Sequence, residues 1–168
     1  MELQITEAEI VETMQWTVDN ILIPHFNTLG YEGQSLNATG EWLRELNVRA
    51  EGQSGVINGR KYTEQLVWGR EPNQDQSHEA KAKWAYGMAN YNEGFMKWLQ
   101  VRGLVPYGMQ VAYKIADRGT NIFQKGGTDL LEILSEPQNV KRITDHLQAQ
   151  YTPRVTVYLE RQIQEAFR

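Results

Sequence analysis

Only a few residues in this 168-residue chain have the types and spacing that chemistry needs, and none of the sets closes into a catalytic pattern. The three histidines, His25, His78 and His146, lie far apart. His78-Glu79 opens like a zinc-binding helix, but position 82, where H-E-x-x-H places its second histidine, is alanine. Catalytic zinc needs three convergent protein ligands, so no metal site is expected. Glu41 and Glu45 would make a paired-carboxylate site only on a helix; on the strand predicted below they are solvent-facing charges. Gly126-Gly127-Thr128 lacks the Lys-Ser/Thr ending of a phosphate loop, and Gly30-Tyr31-Glu32-Gly33 lacks the strand-then-helix setting. Both read as turns. Ser35, Ser54, Ser77 and Ser135 fall in loops or at a helix end, with no G-x-S-x-G elbow. These residues predict neither an enzyme nor a bound cofactor.

One further set has a recognisable chemical logic. Trp68, Trp84, Trp98, Tyr107 and Tyr113 interleave with Arg70, Lys81, Lys83, Lys97 and Arg102. Stacking rings among basic charges are how single-stranded nucleic acid is held. At helical spacing, however, Trp84, Trp98 and Tyr113 are ordinary core or interface residues, and that reading is preferred. The net charge of −4 demands neither a nucleic acid nor a membrane. Its distribution is uneven: residues 1–43 hold seven acidic and no basic side chains, whereas 78–126 hold seven basic and three acidic. Such polarity suits docking through opposite faces. There is no cysteine, which excludes disulfides and thiolate metal sites. No signal peptide or membrane-length apolar run is found, so the chain reads as soluble and intracellular at synthesis.

The elements that must position these residues follow from periodicity and punctuation. Thr6 to Glu9 has the capping-box form, and Ile10, Met14, Val18 and Ile21 then make a helical stripe over 6–23, which Pro24 ends or kinks. Residues 27–40 read as a loop. Trp42, Leu46, Val48 and Ala50 share one side of an alternating segment, interrupted by Arg44, with Leu43, Glu45, Asn47 and Arg49 on the other, predicting strands near 42–51, 53–58 and 60–62, with Asn58-Gly59 as a type I′ turn and Gly59 at positive φ. Tyr62, Leu66 and Val67 read alternatively as a short helix closing at Gly69. Helices are expected around Glu79–Met88 and Asn92–Arg102, with Phe95, Trp98 and Leu99 inward. Another starts at Pro106 and closes at Gly119, with Gly119 in the left-handed region. A short apolar element, Ile122-Phe123, then stops at Gly126-Gly127. Val140, Ile143, Leu147, Tyr151, Val155, Leu159, Ile163 and Ala166 step by three or four, predicting a long C-terminal helix bent at Pro153. The fold class is α+β: an N-terminal helix on a small antiparallel sheet, then several helices. Residues 1–138 form the expected core domain and 139–168 its helical extension.

Three patterns occur in an order that resembles one family. Ala112-Tyr113-Lys114-Ile115-Ala116, Gly119-Thr120, Ile122-Phe123 and Gly126-Gly127 resemble "A-(Y/h)-x-I-A-x-x-G-T-x-(I/L)-(F/Y)-x-x-G-G" of small head–tail joining proteins of tailed bacteriophages. Arg60-Lys61-Tyr62 followed by Gly69-Arg70-Glu71-Pro72 resembles "G-R-x-Y … x-G-R-x-P" of the same proteins. Phe95-Met96-Lys97-Trp98-Leu99, then Arg102-Gly103-Leu104, resembles their "x-I-K-x-W-I-x-x-K-G-L" helix. The resemblance covers about residues 40–135. The chain departs from it in its long 27–40 loop and its large C-terminal helix.

The resemblance implies a neck, tail-completion or tail-terminator protein: a structural virion component that forms a ring between portal and tail, assembled in the host cytoplasm. Its partners would be itself, neighbouring portal, adaptor or tail proteins, and duplex DNA through sequence-independent contacts in the channel, with no membrane. Gly59, Gly69, Arg70, Pro72, Trp98, Gly119, Thr120, Gly126 and Gly127 are the structural or interface candidates. Lys81 and Lys83 are expected on an exposed face whose reversal leaves the fold intact. The alternative is an intracellular helical adaptor or regulatory protein that binds a partner through its C-terminal helix.

Overall fold

A computed structural model describes residues 4–31, 34–37, 39–59 and 62–166. Mostly helical, it carries a small antiparallel hairpin beside an N-terminal helix, with helices thereafter, and so has the expected α+β character. Two compact units divide the chain: Met1–His25, Leu46–Gly59 and Leu131–Arg168 form the first, Phe26–Glu45 and Arg60–Leu130 the second. The C-terminal helix therefore belongs with the N-terminal helix and the hairpin.

Helix α1 (Glu7–Thr17) starts as its sequence dictates. Thr6 Oγ1 accepts from the Glu9 amide at 3.3 Å, and the Glu9 carboxylate accepts from the Thr6 amide at 2.7 Å. Pro24 does not end the helical path. The backbone widens into a π turn over Val18–Leu22 and resumes as α2 (Ile23–Thr28), with Pro24 in its first turn. Proline has no N–H for the carbonyl of Asn20, four residues back; Arg142 Nη2 donates to that oxygen instead, at 3.3 Å.

The hairpin of the first unit pairs β3 (Asn47–Glu51) with β4 (Ser54–Asn58), from Asn47 opposite Asn58 to Glu51 opposite Ser54. Two shorter strands, β1 (Gly30–Tyr31) and β2 (Gln34–Ser35), pair in the second unit within the expected loop. The turn expected at Asn58-Gly59 lies instead at Gly52-Gln53, where Gly52 has the positive φ of +61° that primed hairpin turns require at their first position. Asn58 is the last paired residue of β4, and Gly59 follows it out of the sheet. Tyr62 lies in a turn rather than a third strand, and Arg60 and Lys61 lie outside the described residues.

Helix α1 packs on this hairpin and on the long C-terminal helix, α9 (Pro137–Ala166). Ile10, Val18, Ile21 and Leu22 are buried there, as are Thr13 and Thr17. The Thr17 hydroxyl donates to the Thr13 carbonyl (2.8 Å), and the Thr13 hydroxyl to Gln150 Oε1 (3.3 Å), so neither buried oxygen is orphaned. Trp16 stacks on His146 with centroids 4.5 Å apart, and Arg154 bridges to Glu9 at 3.0 Å.

Helix α9 runs on through Pro153. Its apolar series is not a single face. Each i+4 step turns the direction by about 40°, so the five steps from Ile143 to Ile163 rotate it by about 200°. Ile143, Leu147, Tyr151 and Val155 are half-buried, whereas Leu159 and Ile163 are 51% and 57% exposed.

In the second unit, a strand expected from residue 42 is replaced at its start by one helical turn, α3 (Glu41–Arg44). This turn buries Trp42 against Phe26, with the indole N–H donating to Thr63 Oγ1 at 2.9 Å. Thr63 opens α4 (Thr63–Val67), the short helix of the alternative reading. Helix α5 (His78–Tyr91) is capped by Ser77, and α6 (Glu93–Val101) by Asn92. Pro106 sits in a 3-10 turn, Val105–Tyr107, one turn ahead of α7 (Gly108–Arg118). Ala85, Ala112 and Ala116 are fully buried where α5 and α7 pack together, small side chains that let the two backbones close up. A single turn, α8 (Asn121–Gln124), then leads to the buried Leu130.

Candidate functional site

Residues 66–73 and 116–128, about fifty positions apart in sequence, lock together within the second unit. The Arg70 amide donates to Thr120 Oγ1 at 2.9 Å, and the Thr120 amide donates back to the Arg70 carbonyl at 2.9 Å. Asn73 N–H donates to the Ala116 carbonyl (2.8 Å), capping the open end of α7. Thr128 closes the other side: its amide donates to the Val67 carbonyl (2.6 Å) and its hydroxyl to the Leu66 carbonyl (2.8 Å). Thr120 also caps α8, its hydroxyl accepting from the Phe123 amide at 3.3 Å.

The glycines of the two motifs make this approach sterically feasible. A Cβ on Gly69 would lie 2.6 Å from Thr120 Oγ1 and 2.8 Å from Phe123 Cα. One on Gly119 would lie 2.7 Å from the Arg70 carbonyl oxygen and 3.2 Å from Pro72 Cδ, and one on Gly127 2.8 Å from the Val67 carbonyl oxygen. Gly119 has positive φ as expected, but its φ of 76° and ψ of −179° fall outside the left-handed helical region, in a conformation that essentially only glycine adopts. Gly126, at φ 87°, faces open space. Gly69, Arg70, Pro72, Gly119, Thr120 and Gly127 thus form one joint, while Trp98 and Gly59 are not among its contacts.

The side chain of Arg70 completes the joint. Its guanidinium carbon lies 3.8 Å from the centre of the Trp84 ring, and Nη2 donates to Asn73 Oδ1 at 3.1 Å. Burial pulls the guanidinium below its ordinary pKa. Sequence reasoning missed Trp84, Asn73, Phe123 and Thr128 as members. Phe123, inside the motif tract, and Thr128, directly after its glycine pair, are the two whose positions offered a signal.

Beside the joint, α5 and α7 share a polar row. Lys81 Nζ bridges to Asp117 Oδ1 at 2.7 Å and lies 5.5 Å from the Tyr113 ring, whose hydroxyl is 3.0 Å from His78 Nδ1. The Lys81 hydrogen bond holds the Asp117 carboxyl below its ordinary pKa, and the same bond raises Lys81. This corrects the expectation for Lys81, whose side chain is only 13% exposed and is tied into the helix pair. Lys83 does lie exposed.

The aromatic–basic interleaving resolves largely into internal pairs: Arg70 on Trp84, Lys81 by Tyr113, and Arg102 over Trp98 at 6.0 Å, with Phe95 stacked on Trp98. Glu41 is on a helical turn after all, but Lys97 ion-pairs with it. Among the described residues no group of three or more His, Cys, Asp or Glu converges as metal ligands, and no helix is long and apolar enough to cross a membrane. No protein-family model, curated protein or solved structure matches the chain.

Proposed function

We propose that this chain is a structural subunit of a ring at the head–tail junction of a tailed phage. The observation that supports the reading best is the joint. Two of the motifs carrying the resemblance, G-R-E-P at 69–72 and G-T at 119–120, meet in space, and their glycines are the residues whose Cβ atoms would collide. The shared pattern therefore has a mechanical reason: it fixes a crossing of two loops rather than a reactive centre. A ring subunit needs rigid crossings of this kind, so that faces meeting its neighbours keep their geometry.

Mass spectrometry of purified particles tests the reading. The expected result is the protein present at several copies per particle, and its absence from particles overturns the proposal. The adaptor reading has one observation of its own, the exposed Val157, Leu159 and Ile163 late in α9. It is favoured if the protein is monomeric and binds a partner through that helix alone.

A further inference from the structure

We propose that Asn58 is a site of spontaneous covalent modification: its side chain closes on the Gly59 amide, loses ammonia, and passes through a cyclic imide to aspartate and isoaspartate. In sequence Asn58-Gly59 has the form of a hairpin turn, but the hairpin folds at Gly52-Gln53 and leaves this pair at the open end of the sheet. Asn58 is the last paired residue of β4, opposite Asn47, and the chain leaves the sheet at Gly59.

Both reacting groups are free. Among the described residues no hydrogen bond engages the Asn58 carboxamide or the Gly59 N–H, and Gly59 is exposed. A glycine nitrogen is the least hindered backbone nucleophile, because no Cβ crowds its approach. Attack requires the backbone between Asn58 and Gly59 to turn out of its extended conformation. Pairing stops at Asn58, so only the terminal rung has to open, and the ends of elements open at small cost.

No other asparagine is followed by glycine, and most are held. The carboxamides of Asn20, Asn90 and Asn139 donate to backbone carbonyls, and Asn37 donates to Asn27. Those of Asn73 and Asn92 accept from Arg70 and from the Phe95 amide. Asn47 and Asn121 precede Val48 and Ile122, whose branched side chains crowd the backbone nitrogen.

The chemistry balances with water alone. The Gly59 nitrogen gives up its proton to hydroxide and bonds to Asn58 Cγ; the Cγ–Nδ2 bond breaks, and that nitrogen leaves as ammonia. Water then opens the imide at either carbonyl. Breaking the new Cγ–N bond leaves aspartate. Breaking the original peptide bond leaves isoaspartate, whose backbone runs through the side chain and is longer by a methylene. Aspartate adds a charge to the terminal rung and keeps its geometry, whereas isoaspartate no longer fits the pairing with Asn47.

The test uses the full chain, held in mildly alkaline buffer and digested at intervals with trypsin. Cleavage after Arg49 and Arg60 releases residues 50–60, in which Asn58 is the only asparagine. Fragment-ion mass spectrometry should find the amide-to-acid mass gain growing at Asn58, faster at higher pH, while the other asparagines stay intact. Electron-transfer fragments should show both isomers. Gly59→Ala should remove most of the gain, because a methyl group then shields the attacking nitrogen. The same incubation in urea supplies the reference. Gain at Asn58 in urea but not in the native chain would overturn the proposal by showing that the hairpin protects it, and no gain in either would overturn it outright. Gain that persists undiminished in a folded Gly59→Ala chain would rule out the cyclic-imide route.

Discussion

At Gly69 and Gly119 two stretches of backbone come so close that a methyl group has no room, and the consequences separate cleanly from those of positive φ alone. Gly52 serves as the reference, with φ of +61° and nothing within 4 Å of the place a Cβ would occupy. Gly52→Ala should cost about 1–2 kcal/mol, the penalty for a positive φ. Gly69→Ala carries that penalty plus overpacking against backbone atoms, about 1–3 kcal/mol more, and Gly119→Ala, in a conformation essentially closed to other residues, should cost at least as much. Urea unfolding should rank them accordingly, and equal losses at all three positions would contradict the joint. Lys81 and Asp117 give a second expectation, in pH. The depressed Asp117 stabilises the fold above the ordinary carboxylate pKa, and that contribution is lost as pH falls through its folded value. The raised Lys81 stabilises below its ordinary value of 10.5, and its contribution is lost as pH rises through its higher folded value. Lys81→Met should therefore lower the urea midpoint throughout the neutral range, and the difference from the parent chain should shrink in acid.

Arg142 links two elements whose coupling no local pattern announces. It donates to the carbonyl that Pro24 leaves without an α-helical partner, and its guanidinium lies 5.7 Å from the Trp16 ring. Arg142→Met should cost about 0.5–1.5 kcal/mol, the net worth of a hydrogen bond whose exposed acceptor water can reach. Amide exchange should speed up around the π turn at Val18–Leu22 before it does in the hairpin; uniform acceleration would argue against this coupling. Elements fixed by short-range chemistry were legible in the sequence: the Thr6–Glu9 capping box, the long C-terminal helix, and the helix that closes at Gly119. Where long-range contacts decide, sequence reasoning went astray. Trp42 falls on the same alternating face as Leu46 and Val48, as a strand residue would, yet burial against Phe26 and the bond to Thr63 favour a helical turn. Asn58-Gly59 has the stronger turn propensity, but the hairpin folds at Gly52-Gln53, which lets β3 and β4 pair over five residues each. The apolar series of α9 looked like one stripe because repeated i+4 spacing conceals its rotation. For the candidate site, the glycines and Arg70 could be picked out by resemblance, while Trp84 and Thr128 acquire their roles only when residues 66–73 meet 116–128.

For the molecule as a unit of assembly, charge is the property to perturb, and the two lysines that sequence places together separate in the structure. Lys81 is held by Asp117, so Lys81→Glu places two carboxylates together and should lower stability before any effect on assembly can be read. Lys83 is exposed, one helical turn before Gly87 on α5, and Lys83→Glu should leave the thermal midpoint nearly unchanged, since exposed substitutions away from special contacts usually stay within about 0.5 kcal/mol. If copies associate through opposite charges and the exposed face of α5 takes part, Lys83→Glu should weaken association and make it less sensitive to added salt, because an attractive charge becomes a repulsive one. Sedimentation at low and moderate ionic strength reads both effects. Association that is unaltered by Lys83→Glu and indifferent to salt would show that the uneven charge of the chain plays no part in joining its copies.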